Sequence, residues 1–300
     1  MSPETMQQDQ AAELRRLVAE RKVQARSARS ERGARVEGAR VFAVTSGKGG
    51  VGKTNIAVNL AVAAAAYGKR VALVDLDLGL ANADVVLGAS PKATIAHVLS
   101  GRMSILQALT PAHGVMLLAG ASGIESYANL TSPERERLRD AFGRLAERAD
   151  LVILDTGAGI SRNVIEFAAA ADEALVVTTP EPTALVDAYA TVKLLAREPD
   201  AGAIRLIVNQ ATDRAEADRI SAGLVSVARR FLQADVDRLG YVLRDPAVGR
   251  AVMARAPFVV ADPRGAAAGC VRNLAARLCG GAPRPRSFVQ RIFQILRLGA

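Results

Sequence analysis

With 300 residues, half of them hydrophobic, the chain has enough apolar mass for one large α/β domain or two small ones, which excludes disorder throughout. Charges or glycines interrupt the apolar stretches before the roughly 20 residues that span a bilayer, and the first residues are polar where a secretory signal is apolar, so we expect a cytosolic protein. The net charge of +9 favours nucleic acid, anionic lipid or an acidic protein face without choosing among them, and the two cysteines, Cys270 and Cys279, rule out a disulfide framework or a spaced zinc site.

Residues 7–20 set Ala11, Leu14, Leu17 and Val18 on one stripe at helical spacing. An Arg/Ser/Gly-rich run to Arg40 follows, without large apolar residues, and predicts a short helix on a basic tether over 1–40. From Val41 the pattern changes to short apolar runs alternating with longer helical stretches. The runs are Val41–Thr45, Arg70–Asp75, Val115–Ala119, Leu151–Asp155, Ala174–Thr178, Ile204–Asn209 and Tyr241–Leu243. Continuous apolar strands separated by helices imply an α/β domain over 41–280, with a mostly parallel, doubly wound sheet covered by helices on both faces. Pro283 and Pro285 then punctuate a linker, and 281–300 ends in an amphipathic segment. On a helix, Phe288, Val289, Ile292, Phe293, Ile295 and Leu296 share an apolar face, with Gln290, Arg291, Gln294 and Arg297 opposite. Such a helix can lie in the headgroup region of an anionic membrane.

Gly47, Lys48, Gly49, Gly50, Val51, Gly52, Lys53 and Thr54 read GKGGVGKT, the P-loop spacing G-x-x-x-x-G-K-[ST], between a predicted strand and a predicted helix that continues with Asn55. Glycines let backbone N–H groups turn toward phosphate oxygens, and the helix N-terminus adds its dipole. Lys53 is expected to reach the β- and γ-phosphates of ATP, and Thr54 to ligate Mg²⁺. Asp75 and Asp77 in LVDLDLG, and Asp155 in LVILDTGAGIS, end predicted strands, where carboxylates face the ligand crevice of a parallel sheet.

The second lysine, Lys48, is not needed by a phosphate cradle, and with it the loop resembles the deviant Walker A motif of the MinD/ParA ATPases. The resemblance covers about residues 41–280 and implies a P-loop NTPase that binds ATP and Mg²⁺ and closes into a homodimer. Lys48 would then meet nucleotide phosphate across the dimer. Asp77 would orient the attacking water, with Asp75 near the metal and Asp155 as the Walker B-type carboxylate. TTPEPTALVDAY nominates Glu181 and Asp187 for contacts across the interface, Asn209 in LIVNQ for the adenine edge, and Pro257 for the base pocket.

Asp9, Gln10, Ala11, Leu14 and Arg15 belong to DQAAELR, which resembles the N-terminal element of the FlhG (FleN, YlxH) family of flagellar number regulators. DLGLANADVVLG and DTGAGIS are phrased in the same way. This resemblance implies stimulation of an FlhF-like GTPase and contact with a flagellar transcription regulator or basal-body protein. It also implies ATP-dependent peripheral association at the inner face of the cell membrane, slow hydrolysis, and no specific nucleic acid. A MinD-type division-site regulator and a ParA-type DNA-partition ATPase are the alternatives. A reductase of the nitrogenase iron-protein type would need cysteines near the switch segments, and the chain has none there.

Overall fold

The computed structural model describes residues 38–77, 79–121, 130–199, 201–280 and Arg291. The DQAAELR element and the apolar residues Phe288, Val289, Ile292, Phe293, Ile295 and Leu296 lie outside them.

Eight strands form one sheet: β1 (Arg40–Ser46), β2 (Val71–Leu76), β3 (Thr110–Ala112), β4 (Val115–Leu118), β5 (Leu151–Ala158), β6 (Glu173–Thr178), β7 (Ala203–Ala211) and β8 (Val236–Leu243). Their order is β3-β4-β2-β5-β1-β6-β7-β8, parallel except for the β3–β4 pair. Helices connect them: α1 (Lys53–Ala66), α2 (Ala83–Leu87), α3 (Ile95–Leu99), α4 (Ile105–Ala108), α5 (Ser132–Arg148), α6 (Arg162–Ala170), α7 (Pro182–Leu195), α8 (Arg214–Leu232), α9 (Pro246–Met253), α10 (Phe258–Ala261) and α11 (Ala266–Cys279). This is the mostly parallel, doubly wound architecture that the alternation of strand and helix patterns implies, and it fits the P-loop NTPase fold expected from the resemblance.

The two-residue period of the strands divides the core. Val41 and Ala43 of β1 face one side of the sheet with Phe167 of α6 and Val192 of α7, whereas Phe42 and Val44 face the other with Ile56 and Leu60 of α1 and Val271 of α11. Each fully buried Leu or Ile contributes about 1.5–3 kcal/mol. The central strands β1, β2, β5 and β6 are buried on both faces over most of their length, so no polar alternation marks them in the sequence. Helix α1 packs on β1, β2 and β5 while α11 covers its outer side, which is why it reads as apolar nearly all round.

The edges of the sheet depart from expectation. Antiparallel β3 was not expected, being three residues long with Pro111 at its centre. Strand β8 begins at Val236, five positions before the expected start, because Asp237, Arg238 and Gly240 break its apolar pattern. At the end opposite the phosphate loop, Asp172 accepts the Val41 N–H (2.8 Å) and Glu173 pairs with Arg40 (2.7 Å). Arg291 joins them: its Nε donates to the Ala170 carbonyl (2.7 Å) and its guanidinium pairs with Asp172. The helical pattern set Arg291 on a polar face toward solvent or headgroups, but it is buried here because the Asp172 carboxylate supplies its counter-charge. No described helix is long and apolar enough to cross a membrane.

Candidate nucleotide site

The phosphate loop runs from the end of β1 to the start of α1, on the carboxyl edge of the sheet. Gly52 takes the left-handed conformation, φ 89°, as the N-cap of α1, and a Cβ there would lie 2.5 Å from Asn209 Nδ2. A Cβ on Gly47 would lie 2.2 Å from the Asp187 carbonyl oxygen, so α7 rests on the loop backbone. Asn209, buried at the end of β7, donates from Nδ2 to the Val51 carbonyl (2.7 Å) and ties the loop to the neighbouring strand. Ser46 Oγ donates to the Lys48 carbonyl (2.7 Å), and the Gly159 N–H donates to the Ser46 carbonyl (2.9 Å), joining the end of β5 to the loop. Gly49 and Gly50 are exposed, leaving their backbone open to a ligand, while Val51 is buried as an anchor.

Behind the loop stand two carboxylates. Asp75 and Asp155 are register partners on β2 and β5, at 1% and 0% exposure. Asp75 is taken up by the turn that follows it, accepting the N–H groups of Asp77 (3.0 Å), Asn82 (3.0 Å) and Ala83 (3.1 Å). Burial pushes its carboxyl up to about 6, the Asp77 charge adds to the push, and these N–H groups oppose it. Asp155 is different, since neither oxygen makes a hydrogen bond of ordinary geometry among the described residues. Burial pushes it up to about 8, reinforced by Asp75 and moderated by the nearby Thr54 hydroxyl and Lys53 ammonium. An orphaned buried carboxylate is costly and suits a cation. No group of three or more His, Cys, Asp or Glu among the described residues could hold a metal alone. A divalent ion here would depend on Asp155, Thr54 and phosphate oxygens, the usual economy of a magnesium site.

Asp77 Oδ1 accepts the N–H groups of Gly79 and Leu80, each at 3.1 Å, while Oδ2 has no partner among the described residues. A Cβ on Gly157 would lie 3.7 Å from Asp77 Oδ1, so the segments after β2 and β5 face each other. On the rim, Lys48 Nζ donates to Glu181 Oε2 (2.8 Å) and Thr183 Oγ1 (3.0 Å) at the start of α7. The Lys48 ammonium holds the Glu181 carboxyl below its ordinary range, chiefly by this hydrogen bond, with the Arg244 charge contributing.

The structure therefore gathers Gly47 to Asn55, Asp75, Asp77, Asp155, Glu181, Asp187 and Asn209 on one edge of the sheet. Asp187 meets the loop through its backbone carbonyl, and its side chain makes no hydrogen bond or ion pair among the described residues. Pro257 caps α10, which is tied to α1 by the Val259 N–H to Asn59 Oδ1 (3.0 Å), while the Pro257 carbonyl accepts the N–H groups of Val260 and Ala261 within its own turn. Thr183 and the backbone of Asp187 were missed from sequence. The signal for Thr183 lay in its place behind Glu181-Pro182, where a helix begins.

Residues 42–258 match the CobQ/CobB/MinD/ParA nucleotide binding domain. The antiactivator FleN of Pseudomonas aeruginosa is 39% identical over 262 residues, covering 85% of this chain and 93% of that protein. The septum site-determining protein MinD of Bacillus subtilis is 34% identical, covering 79% and 88%. Among solved structures, MinD of Pyrococcus horikoshii in complex with Mg-ADP superposes with a TM-score of 0.66 at 26% identity, over 80% of this chain and 96% of that one.

Proposed function

The chain belongs to the CobQ/CobB/MinD/ParA nucleotide-binding family, in its FleN/YlxH branch, and on that premise we propose that it is an ATP-hydrolysing dimerisation switch controlling flagellar number or placement. The observation that carries this reading is Lys48, a second phosphate-loop lysine held on the exposed rim by Glu181 rather than turned into its own cradle.

ATP would lie with its phosphates along residues 47–54, facing the backbone N–H groups and the N-terminus of α1. Lys53, only 7% exposed at the base of the loop, would neutralise charge from below. Lys48 would leave Glu181 for phosphate held by a second copy of the chain. That exchange costs little, since water screens an ion pair whose partners are 36% and 65% exposed. A magnesium ion bound with ATP would neutralise charge on the β- and γ-phosphate oxygens, with Thr54 and Asp155 as the residues to hold it and Asp75 beside them. Asp77, one oxygen fixed by the turn and the other open, would orient the water that attacks the γ-phosphorus. Turnover is slow in this reading, because a switch needs a long-lived ATP state.

The output side rests on the ends of the chain. The apolar face from Phe288 to Leu296 would engage anionic lipid at the inner face of the membrane, and Asp9–Arg15 would stimulate an FlhF-like GTPase. The name of one relative supports a flagellar role: YlxH of Helicobacter pylori, 36% identical over 63% of this chain and 64% of that protein, is a flagellum site-determining protein; that of FleN of P. aeruginosa, an antiactivator, supports a regulatory one.

The test is light scattering with ATP alongside phosphate release, for wild type, Lys48→Ala and Asp77→Ala. Loss of turnover in both variants, with Asp77→Ala trapped as an ATP-bound dimer, is expected. A fully active Lys48→Ala protein overturns the role of that lysine across the dimer.

A further inference from the structure

We propose that the outer edge of β8 is a docking groove for an extended acidic segment of a partner protein. Among the described residues β8 pairs with β7 alone, so its other edge presents a row of backbone donors and acceptors. The two edges of the sheet are treated differently. At the far side, β3 is three residues long and carries Pro111, which blunts it against further pairing. Strand β8 runs for eight residues, and its middle four, Arg238 to Tyr241, line a cleft of about 570 Å³ walled by α8 from one face of the sheet and α11 from the other. None of the phosphate-loop residues lines this cleft.

The chemistry of the walls selects the occupant. Arg214, Arg238 and Arg277 line the cleft against one carboxylate, Asp218, which already pairs with Arg214 at 3.4 Å. Arg277 donates to the Leu239 carbonyl on the β8 edge, covering that position with a side chain that a strand could replace. Arg238 is exposed and makes no hydrogen bond or ion pair among the described residues, and neither does the Asn273 side chain on the α11 wall. Two free polar groups beside an open strand edge suit a peptide that adds main-chain bonds and presents carboxylates on alternate residues. A second copy of β8 would bring the same arginines face to face, so self-pairing is disfavoured. The edge backbone lies in a recess between two helices, so a flat membrane or a nucleic-acid duplex would meet the rims and not the strand.

The experiment uses the full chain and a fluorescent eight-residue peptide with glutamate at alternate positions, followed by anisotropy. A version N-methylated at alternate amides, a single-stranded DNA oligonucleotide and phosphatidylglycerol vesicles serve as competitors. Wild type is expected to bind the peptide, with slower amide exchange across residues 236–243. Arg238→Glu should weaken binding at least tenfold while ATPase activity and Tm stay at wild-type values, and Asn273→Asp should weaken it several-fold. The N-methylated peptide should fail to compete. No peptide binding, equal binding by Arg238→Glu, equal competition by the N-methylated peptide, or stronger competition by the oligonucleotide or vesicles would each overturn the proposal.

Discussion

Lys48 Nζ donates to Glu181 Oε2 across 2.8 Å within one chain, a pairing that places both groups on the rim of the phosphate loop. The sequence nominated Glu181 for a contact between subunits, and the two roles predict opposite signs. If Glu181 serves across the interface, Glu181→Gln weakens the ATP-dependent dimer. If it holds Lys48 at rest, the substitution removes a competitor and tightens the dimer. The cis geometry supports the second outcome. A pair this exposed is held weakly, and a symmetric dimer releases it in both protomers, so the dimer dissociation constant should fall by roughly a few-fold in sedimentation with ATP, less at high salt.

Asp155 predicts a pH dependence with a definite sign. Its carboxyl is pushed up to about 8, above the value of about 4 in an unfolded chain, so the folded state binds the proton more tightly. The stabilisation from that proton is complete below about pH 4 and is lost as pH rises through 8; Asp75, raised to about 6, adds a loss over the lower part of the same window. In nucleotide-free protein without magnesium, Asp155→Asn should therefore melt above wild type at pH 8, by at least the ~2 °C that 1 kcal/mol produces in a domain of this size. The difference should fade toward pH 4. A variant melting below wild type at pH 8 would show that Asp155 already has a partner in the apo protein.

Gly52 and Asn209 predict coupled effects. Alanine at Gly52 meets a left-handed backbone, costing about 1–2 kcal/mol, and Asn209 Nδ2 at 2.5 Å from its Cβ. Asn209→Ala alone gives up the bond to the Val51 carbonyl, about 0.5–1.5 kcal/mol, and loosens the loop. Because the second substitution removes the obstacle to the first, denaturant melts of the double variant should show a loss smaller than the sum of the singles. Nucleotide affinity, read by fluorescent ATP analogue binding, should fall in all three. Strict additivity would mean that the two residues do not touch.

How far the sequence could be read depended on where each residue's partners lie. The central strands were legible because burial on both faces demands continuous apolar runs, and the loop was legible because phosphate geometry demands glycines at set positions. Strand β8 was half hidden, since Asp237, Arg238 and Gly240 break the pattern on an edge that requires less burial. The commitment of Asn209 to Val51, and of Lys48 to Glu181, depends on side chains more than 130 positions apart, and neither spacing nor composition carries that information.

Arg291 shows the same limit and gives the last prediction. The helical pattern groups it with Arg297 on a basic face suited to anionic lipid, yet its guanidinium is buried against Asp172 and the Ala170 carbonyl. Asp172 is 5% exposed and also accepts the Val41 N–H, so Arg291 neutralises a carboxylate that organises the start of β6 beside β1. Breaking a buried pair from one side costs about 3–5 kcal/mol when the remaining charge stays buried, and less when water can reach it. Arg291→Ala should therefore lower Tm, and Asp172→Asn on top of it should add little, because the charge is then gone. The two placements separate on lipid. If Arg291 binds headgroups, Arg291→Ala reduces co-sedimentation with phosphatidylglycerol vesicles. If it pins its own position in the chain to Asp172, the variant binds vesicles more than wild type without ATP, and that increase is the expected result.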